Sequence, residues 1–245
     1  MTNVDVLAIF AHPDDLELSV AGTLLKLKKI NYKTGALDVT RGEMGTRGTT
    51  EIRAEEARNA AEIMKLDVRE NLELPDGHVW NSEESRTKLV RVLRRLRPKV
   101  IFTHQFDDPH PDHNHIVALV RESARLASLK NYDREFDLPE LRPAPIVAHT
   151  IFSLRVAPSF IVDVSEFADA KMNALRAHAS QFYNPNSKDP ETTLSAKGFL
   201  DQIEWRMRFY GTMIGAAAGE PFYVQEALNV EDPIALLTRP MNLYS

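Results

Sequence analysis

Short apolar runs alternate with longer stretches of helical period through the first half of the chain. Residues 4–10 are apolar and partly β-branched, the length of one buried strand. Residues 18–30 then put Val20, Leu24, Leu25 and Leu27 on one face. Lysines at 26, 28 and 29 crowd the last turn, where cations suit the helix dipole. Residues 36–40 are the second strand candidate, and the glycine- and arginine-rich loop 41–49 is expected to be mobile. A helix capped by Thr49 or Thr50 would turn Ile52, Ala57, Ala60, Ala61 and Met64 inward. Residues 68–74 form a less apolar strand, placed nearer a sheet edge, and end in the turn Pro75-Asp76-Gly77. Ser82 caps a helix with Leu89, Val90, Leu93 and Leu96 on one face; Pro98 stops it, and 99–103 is the next strand. After a loop rich in His, Asp and Pro over 105–112, a helix from about 113 to 129 turns Ile116, Leu119 and Val120 inward. This alternation predicts an α/β fold, a mainly parallel sheet covered by helices on both faces and joined by right-handed crossovers.

Beyond residue 130 the pattern loosens. Residues 133–145, with three prolines, read as loop, followed by strand candidates at 146–154 and 159–164. Ser165 caps a helix over 166–178, and 184–190 is a polar loop rich in breakers. A long helix over 193–210 would bury Phe199, Ile203, Met207 and Tyr210, and 222–228 is a last strand. Neither a repeat nor a linker divides the chain. One domain over 1–245 is expected, a core over 1–130 carrying the site and a smaller C-terminal annex over 131–245.

Composition narrows the function classes. A net charge of −5 gives no reason to expect nucleic acid as a partner. The basic run over 86–99 lies on an amphipathic helix and reads as a solvated face. Cysteine is absent, so a zinc site would have to use imidazoles and carboxylates. No run approaches the ~18 apolar residues of a membrane span. The N-terminus enters a strand without a basic segment or apolar signal core, so cytoplasmic residence is the expectation.

The chemistry concentrates at two strand ends. The first strand runs into Ala11-His12-Pro13-Asp14-Asp15-Leu16-Glu17, and the strand at 99–103 is followed by His110-Pro111-Asp112-His113. Ligands of open α/β sheets sit at the carboxyl ends of strands. Zinc takes imidazole and carboxylate ligands, commonly three, with one position open. His12, Asp15 and His113 would supply them, with His115 as competitor for the third place. The plainer alternative is a capped helix in which Asp14 or Asp15 satisfies free amides. It has difficulty with two adjacent carboxylates after a buried strand, because neighbouring anions repel and a cation compensates them. Asp14 would then be free to act as general base. His110, held charged and oriented by Asp112, would stabilise the oxyanion and protonate a leaving amine. Arg41, Arg47 and Arg53 offer donors for a hydroxyl-rich or carboxylate substrate, with solvent exposure the alternative for two of them; helix-borne Arg53 is the strongest. Asp76 either accepts sugar hydroxyl bonds or shapes its turn. No Gly-x-Gly-x-x-Gly follows the first strand, which argues against a dinucleotide site.

At these residues the chain resembles the zinc-dependent de-N-acetylases of the LmbE/PIG-L family. The two His-Pro-Asp segments carry the resemblance, and Thr40-Arg41-Gly42-Glu43, Arg53, Leu74-Pro75-Asp76 and Val162-Asp163-Val164-Ser165 extend it to about residue 182. It implies a Rossmann-like fold without a dinucleotide. It implies His12, Asp15 and His113 as ligands of zinc (Fe2+ being the alternative), Asp14 as base, His110 and Asp112 at the oxyanion and leaving group, and Arg53, Glu43 and Asp76 as substrate contacts. The implied substrate is an N-acetylglucosamine conjugate. The length, the loop and Ser180-Gln181-Phe182 point to the branch that deacetylates N-acetylglucosaminyl-malate in bacillithiol biosynthesis, whose malate would want a cation such as Arg53. Other amino-sugar deacetylations and a non-catalytic metal-stabilised module are the rivals. A homo-oligomer, hexamer or trimer, is implied as well.

Overall fold

The structure is a computed structural model that describes residues 3–152 and 156–238. Its parallel strands are β1 (Val6–Phe10), β2 (Thr34–Asp38), β3 (Val68–Asn71), β4 (Val100–Thr103) and β5 (Ile146–Thr150). Two more, β6 (Phe160–Asp163) and β7 (Gly219–Val224), complete one sheet in the order β3-β2-β1-β4-β5-β7-β6, with β7 antiparallel to both neighbours. Every residue of β1 is buried, as expected of a central strand covered on both faces. Side chains alternate across a strand. Leu7 and Ile9 therefore pack with Leu89, Leu93, Ile116 and Val120 of α4 (Glu83–Leu96) and α5 (Pro111–Ala127). Val6, Ala8 and Phe10 pack on the other face with Leu24 of α2 (Ala21–Lys29) and with Ala60 and Met64 of α3 (Thr50–Met64). A third cluster joins Leu18 of α1 (Asp15–Ser19), Met172 of α6 (Ala168–Arg176), and Phe199, Ile203 and Met207 of α7 (Phe199–Thr212).

The strand order decides where the site falls. β1 lies between β2 and β4, so the chain turns back on itself at the β1/β4 boundary, the switch point at which open α/β sheets bind ligands. The register pairs Val6 with Val100 and Ala8 with Phe102. His104, directly after β4, consequently meets the end of β1, where its Nε2 accepts from the Ala11 amide at 2.9 Å.

Several elements differ from the expectations. The helix expected over 18–30 starts at Asp15 and divides at Val20 (φ −137°). A distant carboxylate explains the division: Glu220 accepts from the amides of Gly22 and Thr23 at 3.0 and 2.7 Å and pairs with buried Lys171 at 2.6 Å. Ser165 does not cap a helix; its hydroxyl accepts from the Ala217 and Ala218 amides, and α6 begins at Ala168. The helix expected from 193 begins only at Phe199, after Gly198 at φ +88°, and runs to Thr212. The last strand ends at Val224, and β5 stops at Thr150; position 154, where that strand was expected to end, lies outside the described residues. Ile52 is 47% exposed, off the stripe of Ala57, Ala60 and Met64. Nor is the basic run all solvated: Arg94 is buried and donates to the carbonyls of Ala127 and Leu129. No helix among the described residues is long and apolar enough to cross a membrane.

Candidate metal centre and active site

The turn after β1 builds itself around Asp15. Its Oδ2 accepts from the His12 amide at 2.8 Å, lies 3.1 Å from His12 Nδ1 and is 3.4 Å from His113 Nε2. His12 Nδ1 and His113 Nε2 are themselves 3.4 Å apart. Zinc bonds of 2.0–2.2 Å at tetrahedral angles separate ligand atoms by roughly 3.3–3.6 Å. The three donors are therefore spaced for one small divalent ion. Each imidazole is also backed by a carboxylate on its other nitrogen, as metal-binding histidines usually are: Asp76 Oδ1 lies 3.0 Å from His12 Nε2, and Asp108 Oδ1 lies 3.1 Å from His113 Nδ1. The chemistry of the donor set fits the ion. Carboxylates outnumber cations here, so the site calls for positive charge. Burial works against protonating His113, yet Asp15 and Asp108 outweigh it and lift its pKa to about 9. His12, His110 and Asp112 form a second possible ligand group. It is looser, because His12 Nε2 already faces Asp76 and stands 3.6 Å from Asp112.

His115 takes no part. It stacks on Trp80 with ring centroids 4.3 Å apart, on the helix face away from His113.

Asp14 is buried beside these three donors, with Arg53 Nη2 3.3 Å from its Oδ2. Burial raises its pKa to about 6 against the pull of Arg53. Its backbone is strained, at φ 143° and ψ −26°; conformations so rarely adopted by non-glycine residues cost on the order of 1–3 kcal/mol and cluster at functional sites.

Several contacts differ from those expected. Asp112 does not hold His110 with its carboxylate, which instead accepts from the Gly77 and Val79 amides at 2.7 and 3.1 Å. Contact with His110 runs through the Asp112 amide, which donates to His110 Nδ1 at 3.2 Å and so caps α5. An accepting Nδ1 means a neutral ring with its proton on Nε2, and burial and the nearby His113 lower the His110 pKa accordingly. Asp76 spends one oxygen on His12 and the other on the Met44 amide, and Glu43 accepts from the Asp76 and Arg41 amides; both brace the turn. The loop 41–49 is tied down: Arg47 donates to the Ser180 carbonyl, and Gln181 donates to the Arg47 carbonyl at 2.7 Å. Of the three arginines only Arg41 is exposed.

Sequence reasoning missed His104, buried and stacked on His113 at 3.9 Å; burial and His113 lower its pKa to about 4 and keep it neutral. Its place directly after β4 was the available signal. Also missed was a buried network behind Asp14. Glu17 lies 2.5 Å from Arg69 and 3.2 Å from His178, and Arg69 grips Asp38 with two nitrogens. Burial opposes the Glu17 charge, but Arg69 and His178 outweigh it and hold its carboxyl at about 2.

The donors open into a cavity of about 1280 Å³, whose lining also includes the apolar Leu18, Phe152, Leu194 and Phe199. Small-ligand pockets span roughly 300–1,000 Å³, so a single sugar ring would leave much of this one unfilled.

Comparison with known proteins supplies the context for this geometry. Residues 7–124 match the family model described as PIG-L, GlcNAc-PI de-N-acetylase. A diacetylchitobiose deacetylase of Thermococcus kodakarensis is 32% identical over 190 residues, 72% of this chain and 70% of that one. A probable N-acetyl-α-D-glucosaminyl L-malate deacetylase of Bacillus anthracis is 27% identical over 89% of this chain and 94% of its own. Among solved structures, a conserved protein of Thermus thermophilus superposes with a TM-score of 0.82 at 36% identity, covering 93% of this chain and 97% of that one.

Proposed function

Because the chain belongs to the PIG-L de-N-acetylase family, we propose that it hydrolyses the N-acetyl group of an N-acetylglucosamine conjugate at a divalent ion, zinc first, held by His12, Asp15 and His113. The observation that carries this reading is the trio of donor atoms 3.1–3.4 Å apart with Asp14 left unligated beside them. A bound ion would polarise the acetamide carbonyl and make a water nucleophilic near neutral pH. Asp14 receives the proton of the attacking water at its carboxylate. His110, a neutral ring with its proton on Nε2, would donate a hydrogen bond to the developing oxyanion, and Asp14 returns the proton it took from water to the leaving amine. Asp76 and Asp108 hold the two ligand imidazoles in the tautomers that leave His12 Nδ1 and His113 Nε2 free to bind.

Within this class N-acetylglucosaminyl-malate is the first reading, supported by similarity over 89% of this chain to the probable N-acetyl-α-D-glucosaminyl L-malate deacetylase of Bacillus anthracis. N,N′-diacetylchitobiose is the second. It is favoured by the large cavity, which has room for a second pyranose ring and includes apolar side chains in its lining. Mass-spectrometric detection of free amine from both substrates, at equal enzyme loading and with chelator and zinc add-back, tests the reading. Metal-dependent amine release from either supports it, and release from neither overturns it.

A further inference from the structure

We infer that His104 is a positioning residue that sets the two halves of the candidate metal centre against each other. The inference rests on the reading of His12, Asp15 and His113 as ligands for its effect on the ion, and on geometry alone for its structure. The two halves come from different elements. His12 and Asp15 follow β1, whereas His113 lies in α5, beyond the loop after β4. His104 stands between these paths, directly after β4, and is 5% exposed.

Its backbone is pinned by β5, where His149 Nδ1 donates to the His104 carbonyl at 2.8 Å. Its ring reaches across to the end of β1. The ladder between β1 and β4 ends at the pair Ala8–Phe102, and the wholly buried Ala11 amide finds its acceptor in His104 Nε2 at 2.9 Å. An imidazole nitrogen that accepts carries no proton, so the proton of this ring is on Nδ1. Nε2 lies 3.4 Å from Asp15 Oδ2 but has no hydrogen to give it, and the ring does not compete with an ion for that oxygen.

The same ring limits the tilt of His113. The two imidazoles stack with centroids 3.9 Å apart and planes 16° from parallel. His110 stacks on His113 as well, at 4.6 Å and 27°. Among the described residues His104 and His110 make no ring contact with each other, so they approach His113 from opposite sides. Phe10 meets His104 edge-on at 4.7 Å and backs it against the central strand. The Asp108 bond at 3.1 Å sets the tautomer of His113, and the packed rings set its plane. Imidazole meets both demands on position 104. Phenylalanine would stack but leave a buried amide unpaired, and glutamine would accept without offering a ring face.

The test compares His104→Phe, His104→Gln and His115→Phe with the wild-type full-length protein. His115 stacks on Trp80, away from the donors, and is the control. Zinc affinity is read by chelator competition, and ligand geometry by the visible absorption bands of the Co2+-substituted protein. Loss of a group that orients a ligand costs about 10–100-fold in metal affinity. We expect both His104 variants to weaken zinc by that order and to alter the Co2+ bands, and His115→Phe to do neither. Wild-type affinity and bands in both His104 variants overturn the inference. Should those variants fail to fold, nitrogen NMR of the imidazoles in the wild-type protein decides it. His104 should carry its proton on Nδ1 with and without zinc, and a proton or a metal on its Nε2 defeats the inference. If the wild-type protein binds no zinc, the functional reading fails, while the tautomer in the metal-free protein still decides whether His104 makes the Ala11 bond.

Discussion

At the scale of single residues, the two carboxylates of the first motif divide their labour by direction. Asp15 faces two imidazoles and the His12 amide, the placement a metal ligand needs. Asp14 faces Arg53 and the cavity. Asp14→Asn should keep zinc affinity within a few-fold while kcat drops by at least about 100-fold, the usual worth of a general base; paired chelator-competition and turnover assays read this. Asp108→Asn should act differently. It weakens the orientation of His113 and should lower zinc affinity by about 10–100-fold, read by the same competition assay. The adjacent Asp107, which is exposed, is the control expected to change neither.

At the scale of elements, the divided helix after β1 shows how a distant strand shapes a local segment. Glu220 of β7 supplies the acceptor for the free amides at the start of α2 and is buried with Lys171 of α6 as its counter-ion. Removing one partner of a buried pair leaves the other uncompensated, so Lys171→Met should cost about 3–5 kcal/mol in denaturant-induced unfolding. The network joining α1 to β2 and β3 predicts a pH dependence. Burial opposes the charge on His178, but Glu17 outweighs it and raises its pKa above 6.5. Its stabilisation is therefore complete below pH 6.5 and is lost as pH rises through the folded-state value. Glu17, held at about 2 against an ordinary 4.5, contributes above pH 4.5 and loses its contribution as pH falls toward 2. In Tm measured against pH, His178→Gln should flatten the decline above pH 6.5 relative to the wild-type protein. Identical slopes would remove His178 from the network.

At the scale of the whole molecule, one fact of topology assembles the site: β1 and β4 are neighbours, although α1 to α4 and two strands lie between them in the chain. Chelation should abolish amine release and lower Tm, and zinc should restore both, because an ion bound only by the folded chain stabilises it by mass action. The alternation of short apolar runs with period-3.6 segments, the strand-end placement of both His-Pro-Asp motifs, and the separate faces of His113 and His115 are legible in the chain, since each follows from local spacing and the direction in which a strand or helix aims its side chains. The partners of those groups are not legible. Arg53 meets Asp14, Asp76 meets His12, Asp112 turns to the Gly77 and Val79 amides, and Glu220 reaches Gly22 across separations of 33 to 198 positions. Periodicity records which face of an element is buried. Which buried polar group completes which other is settled only when the packed sheet brings distant elements within hydrogen-bond reach and leaves each one few partners to choose from.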